Sequence, residues 1–452
     1  MCNGAIFCCC IHELGPQTDK TESSVAFVAG TVDGVYQKVV FCQTPPPVIT
    51  EGYVAPGFED VLEAFRANFE SGRDPRTGGS AFAAYHRGKK VVDIWGGFAD
   101  YESKQKWRKD TISIFFSSTK GVASVCIAML VDRGLLDYNK PVALYWPEFA
   151  QKGKEKVTVK DMMEHKAGLA VSAPPGLSLE LLQDVAKAGE LMAKTEPQWE
   201  YDGHTHGYHG FTFGPLANEL LRRVDPQHRT LGQFFKEEIA EPFGIDFHIG
   251  LPLESNHRVA RLLVNRRPAL LRILKSIQTS DGRQVLKHMI ATNAFGEMMD
   301  NLNEMADFGV FNDPAYRAIE LPSANGIGSA AGLAKLYGII SSGGIDPVTN
   351  RTLLSKERVD DFLNFEPPSV DRTLGLPLSN SRGMMKIDKF VDGVTMFGHP
   401  GAGGQHGCAD PGHQVGFAYV SSTMIQNLVG EDPRTNQLVQ SLYKCVQKLE
   451  NH

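Results

Sequence analysis

The chain has 452 residues, of which 42% are hydrophobic, 9% aromatic and 22% charged, and its formal net charge is -6. That ordinary globular composition excludes a mostly disordered, collagen-like or coiled-coil chain. The acidic balance argues against a nucleic-acid partner, since such binders usually carry a basic patch. At about 150 residues per domain, the length suggests two or three lobes.

The opening stretch, MCNGAIFCCCIH, has no basic residue ahead of its short apolar run, so it reads as a poor secretory signal. No run reaches the roughly 18 apolar residues of a membrane helix; residues 24–41 come nearest and are broken by Asp33 and Lys38. Four of the eight cysteines, Cys2, Cys8, Cys9 and Cys10, crowd into this start. Adjacent cysteines do not readily bridge one another. Two readings stand: an unstructured tail, or S-acylation, where two or more chains would hold the protein on a membrane. Cys42, Cys126, Cys408 and Cys445 lie far apart. This is not a disulfide-scaffold density, and it favours an intracellular, reducing setting. The sequon Asn350-Arg351-Thr352 points the other way. Residues 1–50 read as a disordered Cys-rich leader closed by the proline linker QTPPPVITEG.

Regular structure is expected from Phe58. Phe58, Val61, Leu62, Phe65 and Phe69 recur at helical spacing, and Gly72 closes the helix. SAFAAYH and KKVVDIWGG form a strand pair turned at Arg87-Gly88. ISIFF (112–116) is a further apolar run. It is followed by an amphipathic helix through Val122, Val125, Cys126, Met129 and Leu130 that stops at Gly134. Residues 155–310 are rich in helical patterns, and 328–344 hold another helix. MMKID, VTMFGHPG, HGCADP and QVGFAYVSS return to strands. A closing helix carries Leu438, Leu442, Cys445, Val446 and Leu449 on one face. Strand patterns at both ends around a helical insert mean one sheet built from distant segments plus an α-helical lobe, an α+β arrangement.

HExxH, CxxC, Walker A, GxGxxG and GxSxG patterns are all missing. What is left is serine three residues before lysine. At i and i+3 the two share a helix face, so an unprotonated lysine can take the hydroxyl proton as the oxygen attacks a carbonyl. The pattern occurs at Ser103/Lys106, Ser117/Lys120 and Ser441/Lys444. Ser103 sits in a polar turn and Ser441 inside the closing helix. Only Ser117 follows an apolar run and opens a helix, where free N–H groups favour a developing oxyanion. The competing reading is a plain helix cap with Lys120 solvated.

FFSSTKG (115–121), followed by LVDRGLLDYNKPVALYWPEFA (130–150) and MMEHKAGL (162–169), resembles the serine β-lactamase superfamily. Within it, the chain is most similar to class C-like esterases and eukaryotic β-lactamase-domain-containing (LACTB-type) proteins. GYHGFTFGPLANELLRRV (207–224), GIGSAAGLAKLYG (326–338) and FGHPGAGGQHGCADP (397–411) extend the resemblance in order along most of the chain. It implies a β-lactamase/DD-peptidase-like fold. In that fold the N- and C-terminal helices lie on one face of an antiparallel sheet, and an all-α lobe completes the site. One discontinuous catalytic domain at 51–450 follows, with an α/β lobe about 51–150 and 325–450 and a helical lobe about 151–324.

By the same resemblance, Tyr208, with Gly210 two residues on and Gly214 six residues on, matches the second motif, whose tyrosine relays the nucleophile's proton. A phenol beside an ammonium is expected to have a lowered pKa. Gly210 stands where the family has Asn or Ser. Tyr201 is a competing match without the following glycine. No KTG is present; of the HxG sites at His86, His248 and His399, His399-Pro400-Gly401 resembles the esterase variant. The Ser117 and Ala402 N–H groups would then form the oxyanion hole, Gly401 would let substrate approach the strand, and His399 would orient the site. The family groups missing at Gly210 and His399 hold a lactam's amide and carboxylate, so efficient β-lactamase activity is not expected. The implied function is a serine hydrolase acting through an acyl-enzyme on a small ester or amide, or on a peptide. The alternative is a non-catalytic, homo-oligomeric scaffold, since LACTB-type proteins assemble into filaments. No cofactor is implied. His204, His206 and His209 have metal-like spacing but no cysteine or carboxylate between them, so no metal is expected.

Overall fold

The hairpin at Arg87-Gly88 is the middle of the sheet. In the computed structural model, which describes residues 48–264, 280–424 and 432–450, β2 is not an edge but a central strand. β1 spans Thr50–Val54, α1 Glu59–Glu70, β2 Gly79–His86 and β3 Lys89–Asp100. β2 and β3 pair antiparallel, and Arg87 (φ 51°) and Gly88 (φ 70°) are the two left-handed residues of a tight hairpin turn. β1 pairs with the outer side of β3. On the other side of β2 the far end of the chain returns. Val415–Ser421 pairs with β2, followed by Gln405–Asp410, Met396–Gly401 and Met384–Ile387, each antiparallel to its neighbour. The architecture is α+β around this sheet.

Side chains alternate across it. Ala418 and Val420 join the core that includes helix Ala330–Ser341, while Tyr419 faces Arg434 at the head of the C-terminal helix Pro433–Glu450. That helix also reaches the sheet through the Tyr443 hydroxyl, which donates to Asp410 Oδ2 at 2.7 Å. It meets α1 through Lys448 and Asp60, 2.9 Å apart. Leu449, expected on its buried face, is 44% exposed.

α2, Thr119–Asp132, corrects another expectation. It is not amphipathic: every residue from Thr119 to Leu130 is buried. A helix covered on all sides is apolar all round, and here the sheet and helix Phe213–Val224 cover it. It stops where expected, with Gly134 at φ 70°. ISIFF gives only a two-residue strand, Ser113–Ile114, paired with Ile327–Gly328. The remaining phenylalanines bend into the site.

Cys2, Cys8, Cys9, Cys10 and Cys42 lie outside the described residues, and with them the acylation reading. Cys126, Cys408 and Cys445 are free and buried. Among the described residues no helix is long and apolar enough to cross a membrane.

Candidate active site

The chain enters the site through a strained turn. Phe115 N–H donates to Gly326 O at 2.8 Å, and Phe116 then adopts φ 46°. A left-handed conformation at a bulky residue costs about 1–3 kcal/mol and persists only where packing enforces it. Here the Phe116 ring is wedged against Phe308 and Phe311, at 5.3 and 5.9 Å between centroids. The 3-10 turn Phe116–Ser118 then runs directly into α2. Ser117 is left partly exposed while Phe116, Ser118, Thr119 and Lys120 are buried.

Lys120 is fully buried, which removes the solvated-lysine reading. Its Nζ is 2.7 Å from Gly210 O, 2.8 Å from Ser323 O and 3.3 Å from Ser117 Oγ. Burial pushes its ammonium well below the ordinary lysine range. The two carbonyls can only accept, so a neutral amine here would spend both N–H bonds on them and keep its lone pair for Ser117.

The Ser117 side chain acts on the Tyr208 hydroxyl, and the Lys120 amine stands 4.7 Å from the ring centroid. The expected lowering of this phenol's pKa is overturned. Burial pushes it up most strongly, Ser117 pulls it part of the way back, and the Asp371 charge adds a smaller upward push. The lowering required an ammonium next to the ring, and desolvation disfavours that ammonium as well.

Buried Asp371 holds the Tyr208 loop. Its Oδ1 accepts from the N–H groups of Tyr208, Thr373 and Leu374 at 3.1, 2.9 and 2.8 Å, and its Oδ2 lies 3.0 Å from His206 Nδ1. His206 Nε2 meets Ser369 Oγ at 2.8 Å. His209 spans Gly207 O (2.6 Å) and the Leu169 N–H (2.9 Å), and burial lowers its pKa to about 4. His206 and His209 thus serve the loop's own hydrogen bonds, and no metal-like cluster occurs among the described residues. Tyr201 turns elsewhere, its hydroxyl donating to Asp161 at 2.5 Å.

Gly210 fits a tight slot, where an added Cβ would sit 2.6 Å from Met298 Sδ. The space a larger side chain would need is filled by helix Ala294–Asp300. Met298, Ser323 and Asp371 were invisible to motif reading. Ser323 contributes only a backbone carbonyl. Its one sequence signal is Gly214, whose Cβ would crowd Ser323 N at 3.0 Å.

On the opposite wall, His399 is buried with its ring 5.9 Å from that of Tyr208. Its Nδ1 lies 2.7 Å from Pro400 O, and Nε2 has no partner among the described residues. Burial holds its pKa well below the usual value, so it is neutral. The strand end presses on the serine turn, since a Cβ on Gly401 would lie 3.1 Å from Ser118 Oγ. Ala402 packs into the apolar cluster of Phe116 and Met424. Ser117, Lys120, Tyr208, Gly210, His399, Gly401 and Ala402 are therefore gathered at one place, while Ser103 and Ser441 stay in their turn and helix.

A mixed sheet-and-helix fold with serine, buried lysine and tyrosine converging at the head of its central helix defines the class of serine hydrolases that carry an S-x-x-K motif. Within that class the chain belongs to the β-lactamase family, whose model, described as Beta-lactamase, matches residues 59–440. The chain is 35% identical over 390 residues to the esterase/beta-lactamase LipL of Mycobacterium tuberculosis, covering 84% of this chain and 85% of that protein. Its fold is similar to a family VIII carboxylesterase (34% identity, TM-score 0.76, 88% of this chain and all of the other). It is also similar to a penicillin-binding protein homologue from Caulobacter crescentus (33% identity, TM-score 0.73, 88% of this chain and all of the other). The protein is a serine hydrolase of this family, and the scaffold alternative is not favoured.

Proposed function

We propose that the protein is a carboxylesterase in which Ser117 is the nucleophile, Lys120 its base and Tyr208 a neutral proton donor. The observation that carries this reading is the Lys120 amine, buried and held by two carbonyls with its third direction on Ser117 Oγ. Ser117 Oγ adds to the ester carbonyl as its proton passes to Lys120 Nζ. The oxyanion settles on the N–H groups of Ser117 and Ala402. As the C–O bond breaks, the leaving alkoxide takes the Tyr208 proton, and the Lys120 proton restores the phenol. Water then repeats the sequence on the acyl-Ser117 ester. Burial supports the proton-donor role, since it keeps Tyr208 protonated at neutral pH.

Esters are favoured over lactams. Position 210 offers no side chain, and Met298 fills the space with an apolar thioether. The similar family VIII carboxylesterase supports the same choice, and LipL, named an esterase/beta-lactamase, is compatible with it. A fluorophosphonate should add to Ser117, read by peptide mass, with no addition in Ser117→Ala. p-Nitrophenyl ester turnover should exceed β-lactam turnover. Folded protein that takes up no label would overturn the proposal.

A further inference from the structure

We infer that Arg434, at the head of the C-terminal helix, is a positioning residue that fixes the turn carrying the Ala402 N–H. The inference rests on the proposed oxyanion role of Ala402. Ala402, Gly403 and Gly404 form the turn between strands Met396–Gly401 and Gln405–Asp410, closed at its base by the Gly401–Gln405 pair. Gly403 and Gly404 both have positive φ, 84° and 94°. Two glycines give a turn wide backbone freedom and no side chains with which to anchor itself. Its anchors come from the helix. Arg434 Nη2 donates to Gly403 O at 2.5 Å, and Thr435 Oγ1 donates to Gly404 O at 3.2 Å. The two carbonyls that follow Ala402 are thus both held.

The clamp itself is rigid. Arg434 has no exposed surface. Its Nε and Nη2 grip the two oxygens of Asp432 at 3.0 and 2.7 Å. Nη1 reaches Asp74 Oδ1 at 3.1 Å, Ser421 Oγ at 3.2 Å and Thr423 O at 3.3 Å. A planar, permanently charged fork suits such multidentate holding in a way that a flexible ammonium does not. Two carboxylates, Asp74 and Asp432, face its single positive charge. One side chain therefore references the turn to β2's neighbour Val415–Ser421, to the segment after α1 and to the C-terminal helix.

The test is steady-state hydrolysis of a p-nitrophenyl ester by Arg434→Lys, Thr435→Val, Ala402→Pro and the Ala402→Pro/Arg434→Lys double variant, each checked for folding by thermal melt. Loss of a whole oxyanion donor costs about 10²–10³ in kcat, so loosening one is expected to cost about tenfold. Arg434→Lys should lose that in kcat with KM within about twofold of the parent, and an aryl boronate transition-state analogue should weaken in parallel. In the Ala402→Pro background the same substitution should cost nothing further, because both act through one N–H. A folded Arg434→Lys with parental kcat, or one that loses the same factor in both backgrounds, overturns the inference. If Arg434→Lys does not fold, Thr435→Val decides: a kcat fall of about threefold at constant KM supports it, and parental kcat overturns it. A folded Ala402→Pro with parental kcat would instead overturn the underlying oxyanion assignment.

Discussion

Replacing Gly401 by alanine tests how closely the strand end and the serine turn must meet. A Cβ there would lie 2.2 Å from the Phe115 carbonyl oxygen, a backbone atom two residues before Ser117. Ordinary contact between such atoms begins near 3.4 Å, so the two segments must part by about 1 Å. Phe115 cannot yield alone, because its N–H is bonded to Gly326 and its neighbour Phe116 is wedged against two rings. The displacement falls between Ser117 and Ala402, the two proposed oxyanion donors. A misplacement of about 1 Å in a catalytic constellation can cost about 10²-fold in rate. Overpacking should take about 1–3 kcal/mol of stability, which in a chain this size lowers Tm by only a few degrees. Ester kinetics and a thermal melt on Gly401→Ala therefore separate the two effects. Gly210→Ala is the comparison, since its Cβ meets the flexible Met298 thioether instead of backbone, and it should lose less. A folded Gly401→Ala with kcat within threefold of the parent would refute the reasoning.

Two further expectations concern charge. Lys120→Arg places a permanent cation there that can offer no lone pair at any accessible pH, so acylation, read by fluorophosphonate labelling rate, should fall by about 10²–10⁴, the usual general-base contribution. In the parent, the buried Lys120 sheds its proton well below the ordinary value of 10.5. kcat/KM should accordingly rise with pH through that lowered value and be lost on the acid side; a profile that climbs only above pH 10 would contradict this. Glu366 presents the opposite sign. Burial alone would raise its pKa, but hydrogen bonds from Lys160 and Lys166 bring it to about 2. The stability it contributes is present above its ordinary value of 4.5 and is lost as pH falls toward 2. Glu366→Gln should lower Tm at pH 7, modestly because this carboxylate is 39% exposed, with the gap closing across that window. A constant gap down to pH 2 would show the pair to be irrelevant.

The candidate site was legible where side chains are placed together by fixed local spacing. Ser117 and Lys120 lie one helical turn apart after an apolar run, and Tyr208 announces itself through Gly214. It was illegible where the contribution comes from backbone or from distant segments. Ser323 offers a carbonyl, which any residue possesses. Asp371 holds a loop 163 positions earlier in the chain, and nothing near it in sequence marks that partner. The phenol's acidity was misjudged because spacing reports neighbours and not desolvation. In the fold, the hairpin at Arg87-Gly88 declared itself through local turn chemistry. The all-round burial of α2 did not, since Gly121, Ser124 and Lys120 look like a polar face until their cover is known.

The partner of β2 has a consequence for how the protein is made. Val415–Ser421 hydrogen-bonds along the whole of β2, yet it leaves the ribosome about 330 residues later, roughly 15–65 s at ordinary translation speeds. During that interval the inner edge of β2, including Phe82 and Ala84, stays unpaired and open to wrong partners. Ser117 and Lys120 are already synthesised, but the strand that must face them is not. On the proposed mechanism a nascent fragment still lacks the Ala402 N–H of the oxyanion hole, and the burden on folding assistance falls on one strand edge for most of the protein's synthesis.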